Sequence, residues 1–509
     1  MVNQVQRWGL GWGILLSLGF AAPTWAEIVP INLLHLNDVY EITPVQGGKR
    51  GGLARVATIR KQLLQENPRT YTLLAGDLFS PSALGTAKVK GERLAGRQIV
   101  AVMNTLGLDY ATFGNHEFDL SEAQFLQRLQ ESTFRWFSSN VTDARGAPFP
   151  GVLPQVILTV KGERGDRVRL GLIGLTLPAN QTDYVRYQDV LASARKQVKT
   201  LRGKVDILIA VTHLAIEADR QLAAELPDID LILGGHEHEN IQQWRVVNRL
   251  QTTKGCPRRM TPIFKADANA VTVYIHRLTY DTVRRCLAIQ STLQAVTADI
   301  PEDSRTAALV KDWLEQGFQG FRADGFEPTE VVATTSEALD GLESTVRNQE
   351  TQLTRLIARS LLRSVPQAEL AIFNSGAIRV DDVLPPGPIT QYDVIRILPF
   401  GGKVLTVNLR GDILQQVLDM GQANRGSGGY LQTANVSRSP QGEGWLIQGQ
   451  RLDPQRAYRV AINDFLVSGR EQNLGFLKLG EPGIEALATG EDIRFALMRE
   501  LRSGQQIQP

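Results

Sequence analysis

Short apolar runs, each ending in polar or glycine-rich residues, recur through the first half of the chain. Those at 31–36, 70–74, 110–113, 168–173, 205–211 and 229–233 are continuous, as expected for strands buried on both faces. Between several of them lie stretches of helical periodicity, notably 53–65 and 91–106. This alternation predicts an α/β sheet protein. Segment 301–321 predicts a helix, with Glu302 and Asp303 suited to its first turn and Gly320 near its end. From about Val331 a second mixed block begins, with helices expected at 350–362, 393–397 and 411–422 and strands at 370–374 and 403–409.

The chain starts differently. Arg7 precedes an uncharged, largely apolar run at 10–22, and Thr24-Trp25-Ala26 places small residues where a signal peptidase reads. The expectation is a leader at 1–26 and an exported, periplasmic or secreted, product. The alternative is an uncleaved anchor, but the apolar run is shorter than the ~20 residues a membrane span needs. No span is expected after cleavage.

Composition narrows the class. A chain of 509 residues, 43% hydrophobic and 21% charged, is an ordinary globular protein large enough for more than one core. Its 55 basic and 53 acidic residues leave a net charge of +2, so no basic excess points to a nucleic-acid polymer as partner. Two cysteines, Cys256 and Cys286, exclude a cysteine-based metal cluster. They flank a strand-like run at 271–279 and could bridge across a hairpin in an oxidising compartment.

The chemistry gathers where the first-half strands should end. In chain order these ends read Asn37-Asp38, Gly76-Asp77, Gly114-Asn115-His116-Glu117-Phe118-Asp119, Thr212-His213 and Gly234-Gly235-His236-Glu237-His238. Strand carboxyl ends are where α/β sheets place ligands. One aspartate after a strand reads more simply as a helix cap, and one buried histidine as a core residue. Five such ends at one sheet edge instead form a nitrogen and oxygen ligand set for two divalent metals. Such ligands suit Zn, Mn, Co, Fe or Mg.

These strings, in this order, resemble the calcineurin-like metallophosphoesterase domain of the 5′-nucleotidase family, which includes periplasmic UDP-sugar hydrolases. The later strings Asn348-Gln349-Glu350-Thr351, Phe373-Asn374-Ser375-Gly376-Ala377-Ile378-Arg379, Leu398-Pro399-Phe400-Gly401-Gly402 and Ala461-Ile462-Asn463-Asp464-Phe465 resemble its C-terminal substrate-binding domain. The resemblance implies a two-sheet αββα sandwich at 27–300, a linker helix and hinge at 301–330, and a second α/β domain at 331–509.

It also implies roles. Asp38 and His238 would hold the first metal, Asp77 would bridge, and Asn115, His213 and His236 would hold the second. His116 and Asp119 would form the catalytic pair. Arg347, Asn374 and Arg379 align with phosphate contacts, and Phe400 and Phe465 with two aromatics that stack a base. The substrate would be a nucleotide or another small phosphoester. A nucleoside 5′-monophosphate is expected first; a 2′,3′-cyclic nucleotide, a nucleotide-sugar diphosphate and a non-catalytic nucleotide binder are the alternatives.

Two departures bear on this. The family has histidine two residues after the first aspartate, and here Tyr40 stands there. Tyr40 either ligates as phenolate, or packs while water or Glu41 completes the shell, or leaves the first metal position impaired. Near the end, Glu471 replaces an aspartate that contacts ribose, with Arg470 beside it. His35 is expected to support the site from behind, and His276 to be a bystander.

Overall fold

The computed structural model describes Met1 and residues 27–253, 256–439, 442 and 444–503, without the side chains of 243–253 and 256–260. Residues 2–26 of the expected leader lie outside the described residues. Among the described residues no helix is long and apolar enough to cross a membrane.

The first half contains two six-stranded sheets. In one, Ile28–Leu36 pairs in parallel with Thr70–Ala75 and antiparallel with Thr272–Asp281, and Tyr110–Thr112 extends the parallel side. In the other, Arg167–Thr176, Ile207–His213 and Leu231–Gly235 are parallel neighbours. Both sheets contribute to one buried layer, with Ile31, Leu33 and Leu73 from one and Leu170, Ile209 and Leu231 from the other. Helices Leu53–Glu66 and Arg97–Leu106 cover the outer face of the first sheet. Helices Val190–Leu201 and Ile216–Glu225 cover that of the second. Burial on both faces is why the strands read as unbroken apolar runs.

Parallel pairing places the strand ends together. Leu36 is level with Leu74, Ala75 with Thr112, Thr176 with His213, and His213 with Gly235. Every loop carrying a candidate ligand therefore leaves the sandwich at one edge.

Some elements differ from expectation. The helix expected at 91–106 starts only at Arg97, because Gly96 (φ 85°) holds a left-handed backbone. Before it, Lys88–Val89 and Glu92–Arg93 pair antiparallel. Cys286 opens strand Cys286–Ala295, the hairpin partner of Thr272–Asp281, whereas Cys256 opens Cys256–Lys265 in the other sheet. The two cysteines therefore do not sit on one hairpin. Cys286 is in a disulfide; the side chain of Cys256 lies outside the described residues.

Helix Ser304–Ala323 is capped by Asp303, whose carboxylate accepts from Thr306 N at 3.0 Å. It packs on Leu53–Glu66 and Arg97–Leu106. Its far end reaches the second half, where Phe318 meets Tyr392 with ring centroids 4.9 Å apart. That half is built on a five-stranded sheet ordered Leu431–Ala434, Leu370–Asn374, Ala457–Asn463, Lys403–Arg410, Ile484–Asp492. Helices Gln352–Ser364 and Ile493–Arg502 pack on one face and Gly411–Ala423 on the other. The edge strand Ile484–Asp492 is largely exposed, so no apolar run announces it.

Candidate active site

The loops after the parallel strands turn sharply. Asp38, Asp77, His236 and His238 all take positive φ (52°, 57°, 93° and 61°), a conformation uncommon outside glycine and frequent at functional sites. Close packing adds to this. At Gly76 a Cβ would lie 2.5 Å from His213 Nδ1 and 2.6 Å from Gly114 N, so these loops can approach only without a side chain there. His236 and His238 lie beyond strand Leu231–Gly235, so their rings converge from a loop rather than along a strand.

Six expected residues assemble here. Asp38, Asp77 and His213, all buried, present ligand atoms within 4.8 Å of one another. His213 Nε2 is 3.3 Å from Asp77 Oδ2, and His238 Nε2 is 3.4 Å from Asp38 Oδ1. The His236 ring lies 5.3 Å from that of His213, and His236 N donates to Asp38 Oδ2 at 2.9 Å. His213 Nδ1 donates to the carbonyl of Ala75 at 2.9 Å, since a carbonyl can only accept. Its neutral form therefore carries a bare lone pair on Nε2. That Nε2 faces the carboxylates of Asp77 and Asp38, and Asn115 Oδ1 is buried without a hydrogen-bond partner. An orphaned acceptor and an imidazole turned toward a carboxylate cluster fit a cation.

Charge explains the protonation pattern. Burial pushes Asp38 up, but His213 and His238 outweigh it and hold Asp38 at about 2. Asp77 is held far below the carboxylate range by His213 and His116, again against burial. The same carboxylates raise His213 to about 9, overcoming its burial. His236 is pushed down to about 3 by burial and then by His213.

His116 and Asp119 do form a pair, with His116 Nδ1 2.7 Å from Asp119 Oδ2. Ser80 Oγ at 2.9 Å and Asn180 Nδ2 at 2.7 Å donate to the Asp119 oxygens, fixing the carboxylate. His116 N also donates to Asp77 Oδ1 at 2.9 Å, tying this loop to the carboxylate cluster. Burial lowers the proton affinity of His116, yet Asp119 and Asp77 leave it raised.

Tyr40 is buried among Asp38, Asp77 and His238. Its hydroxyl donates to Asp77 Oδ2 at 2.8 Å and lies 3.0 Å from His238 Nε2. Burial and the charges of Asp77 and Asp38 push its pKa well above the ordinary phenol value. Glu41 does not join the group; its carboxylate is 3.5 Å from Arg396 Nε in the second half.

The second half supplies two further groups. Arg347 pairs with Glu343, and burial lowers its pKa against that partner's charge. Arg379 has a buried Nε without a hydrogen-bond partner, its guanidinium carbon stands 5.7 Å from the Phe400 ring centroid, and its charge acts on His116. Asn374 donates to Glu471 at 2.7 Å and accepts from Asn463 at 3.0 Å, forming a polar set of its own. Phe400 and Phe465 are 52% and 36% exposed, unusual for phenylalanine, and Arg470 lies over Phe465 at 5.5 Å. Each of the two rings therefore has an arginine beside it.

Several supporting residues gave little warning in the sequence. Glu117 accepts four backbone N–H groups, from Asp77, Leu78, Phe79 and Gly114. Its place inside the Asn115-His116 string was a usable signal. Lys265 Nζ is buried and binds the carbonyls of Leu214 (2.5 Å) and Gly235 (2.9 Å) and the carboxylates of Asp219 (2.8 Å) and Glu237 (2.5 Å). It thus anchors the chain next to His213 and His236. Asp381, on the second half, is 2.7 Å from His238 Nδ1. Only folding brings these groups to the site. His35 Nε2 donates to Gly234 O at 3.1 Å, behind the His236 loop, and His276 pairs with Ser291.

An αββα sandwich with carboxylates, histidines and asparagine at one edge defines a metallophosphoesterase, a hydrolase of phosphoric esters that uses divalent metal. Residues 31–240 match the calcineurin-like phosphoesterase family and residues 331–478 the 5′-nucleotidase C-terminal domain. The chain belongs to the 5′-nucleotidase family. It is 25% identical to the 5′-nucleotidase of Bos taurus over 537 residues, covering 94% of this chain and 89% of that one. It is 25% identical to the trifunctional nucleotide phosphoesterase protein YfkN of Bacillus subtilis over 503 residues, 86% of this chain, and spans only 32% of YfkN's length. The crystal structure of a 5′-nucleotidase precursor from Thermus thermophilus superposes with a TM-score of 0.74 at 25% identity, covering 94% of this chain and 97% of that one.

Proposed function

We propose that this chain is an exported dimetal phosphoester hydrolase whose preferred substrates are nucleoside 5′-monophosphates, cleaved to nucleoside and phosphate. The observation that carries this reading is the buried group of Asp38, Asp77 and His213, whose ligand atoms lie within 4.8 Å of one another, with Asn115 Oδ1 buried nearby without a hydrogen-bond partner. The relatives named above, a nucleotide phosphoesterase and two 5′-nucleotidases, support the substrate class. Export rests on the leader pattern at 1–26.

In this reading Asp38 and His238 would hold one metal, Asn115, His213 and His236 the other, and Asp77 would serve both. When bound, such ions would supply positive charge to the phosphoryl oxygens and activate water. Tyr40 acts as a hydrogen-bonding group, in keeping with its short contact to Asp77 and its raised pKa. His116, held by Asp119 through Nδ1, turns Nε2 free to donate a proton to a phosphoryl or leaving oxygen. Arg379, with its unpaired Nε, and Arg347 offer forked donors to phosphate. Phe400 and Phe465 present exposed rings to a base, and Glu471 can accept from ribose hydroxyls. Helix Ser304–Ala323, which touches both halves, is the place for a hinge.

The test is phosphate release by the full chain, stripped of metal and reloaded with Mn, Zn, Co or Mg. Substrates are AMP, UMP, UDP-glucose, 2′,3′-cyclic AMP and glycerol 2-phosphate, with a phosphomonoesterase added to score the diesters. Metal-dependent turnover favouring AMP and UMP is expected, with His116→Ala reducing kcat at unchanged metal content. Preference for a diester would move the substrate assignment. Nucleotide binding without release under any metal would replace the enzyme reading by a binding protein.

A further inference from the structure

The seam between the two halves passes through the candidate metal site. Three contacts cross it close to Asp38 in sequence or space. Asp381 Oδ2 accepts from His238 Nδ1 at 2.7 Å, Asp382 Oδ2 accepts from Gln46 N at 3.1 Å, and Arg396 lies 3.5 Å from Glu41. Arg396 is itself held by Asp382 at 3.1 Å, so adjacent aspartates anchor both ends of this seam.

The first contact has a specific consequence. A carboxylate only accepts, so Nδ1 of His238 carries a proton, and Nε2 faces the Tyr40 hydroxyl at 3.0 Å and Asp38 Oδ1 at 3.4 Å. This is the arrangement that fixes the tautomer and orientation of a metal-bound imidazole. Yet the carboxylate comes from the opposite half of the molecule. Asp381 is itself well held: its Oδ1 accepts the N–H of Glu343 at 2.8 Å, and Glu343 pairs with Arg347, a candidate phosphate fork. Its φ of 38° is a left-handed conformation uncommon for a non-glycine residue.

We propose that Asp381 is a positioning residue through which the second half sets the ring of His238, so that the first metal position is complete only when the halves are engaged as seen here. The proposal rests on the assignment of His238 as a metal ligand. Binding free energies are reciprocal, so metal at this position also favours the engaged arrangement. The chain His238–Asp381–Glu343–Arg347 then links metal loading to the phosphate-binding side of the second half. The other position, built from Asp77, Asn115, His213 and His236, draws every ligand from the first half and lacks this dependence.

The experiment titrates the metal-stripped full chain with Mn²⁺ against a competing chelator, which reads stoichiometry and both affinities without turnover. The proteins are wild type, Asp381→Ala, Asp381→Asn, His238→Ala and the double variant Asp381→Ala/His238→Ala. Asp381→Ala is expected to weaken one of two equivalents by about 10–100-fold, the usual effect of losing such an outer partner, and to leave the other within about twofold. Asp381→Asn, whose amide oxygen still accepts, should lose less. The double variant should bind no more weakly than His238→Ala, because Asp381 acts through that ring. Two unchanged equivalents in Asp381→Ala, or equal weakening of both as in a general loosening of the fold, would overturn the coupling. Two unchanged equivalents in His238→Ala would overturn the ligand assignment beneath it as well.

Discussion

Replacing Glu117 by glutamine changes one atom and tests how the metal loops are held. The Glu117 side chain is buried, and each oxygen takes two backbone donors: Leu78 N (2.5 Å) and Phe79 N (3.2 Å) on Oε1, Asp77 N (3.0 Å) and Gly114 N (2.5 Å) on Oε2. Burial and the Asp77 charge push the carboxyl up to about 7, and the N–H donors oppose them. A glutamine can keep two of the four bonds; its amide nitrogen then faces two N–H groups it cannot accept. Well above pH 7, where the carboxyl is charged, hydrogen bonds to it contribute about 1.5–3 kcal/mol each, so two lost bonds cost about 3–6 kcal/mol. For a half of this size about 2 °C is lost per kcal/mol, so calorimetry of the metal-stripped protein should show the first half melting about 6–12 °C earlier in Glu117→Gln. Metal affinity should fall too, because Asp77 and Asn115 flank the released amides. A drop below about 2 °C with metal binding intact would refute the claim that Glu117 organises these loops.

Two further outcomes follow from the same geometry. Stacking on an aromatic contributes about 1–3 kcal/mol per base, so Phe400→Ala and Phe465→Ala should each raise KM for AMP by about 5–140-fold. KM for glycerol 2-phosphate, which has no ring, should stay within about twofold; equal effects on both substrates would remove the base clamp. Lys61, with help from Thr306, holds Asp303 at about 2 against burial, and Asp303 caps helix Ser304–Ala323. A depressed folded pKa gives stability that is present above the ordinary value near ~3.9 and lost as pH falls toward 2. Asp303→Ala should therefore cost about 1–2 kcal/mol near neutrality. The gap from wild type should narrow by pH 3, and a gap constant from pH 7 to pH 3 would contradict the assignment.

The sequence alone determined the α/β character, the order of the strings that carry the candidate ligands and the division into two mixed blocks. Strands buried on both faces must be continuously apolar, and parallel strands must deliver their ends to one edge. Asp38, Asp77, Asn115, His213, His236 and His238 were legible for that reason: each sits just past a recognisable run. What lay beyond sequence reading was every partner set by contact between distant segments. Strand Ile484–Asp492 is an exposed edge and carries no apolar pattern. Lys265 reads as an ordinary surface cation until the fold buries it between Asp219 and Glu237. Tyr40 could be ligand, packing group or defect by sequence; that its hydroxyl meets Asp77 at 2.8 Å is decided by the fold. Asp381 carries no local signature, and its meeting with His238 exists only because two separately built halves dock across that edge. Periodicity encodes which face of an element is buried, but the identity of the group buried opposite it is decided by tertiary packing.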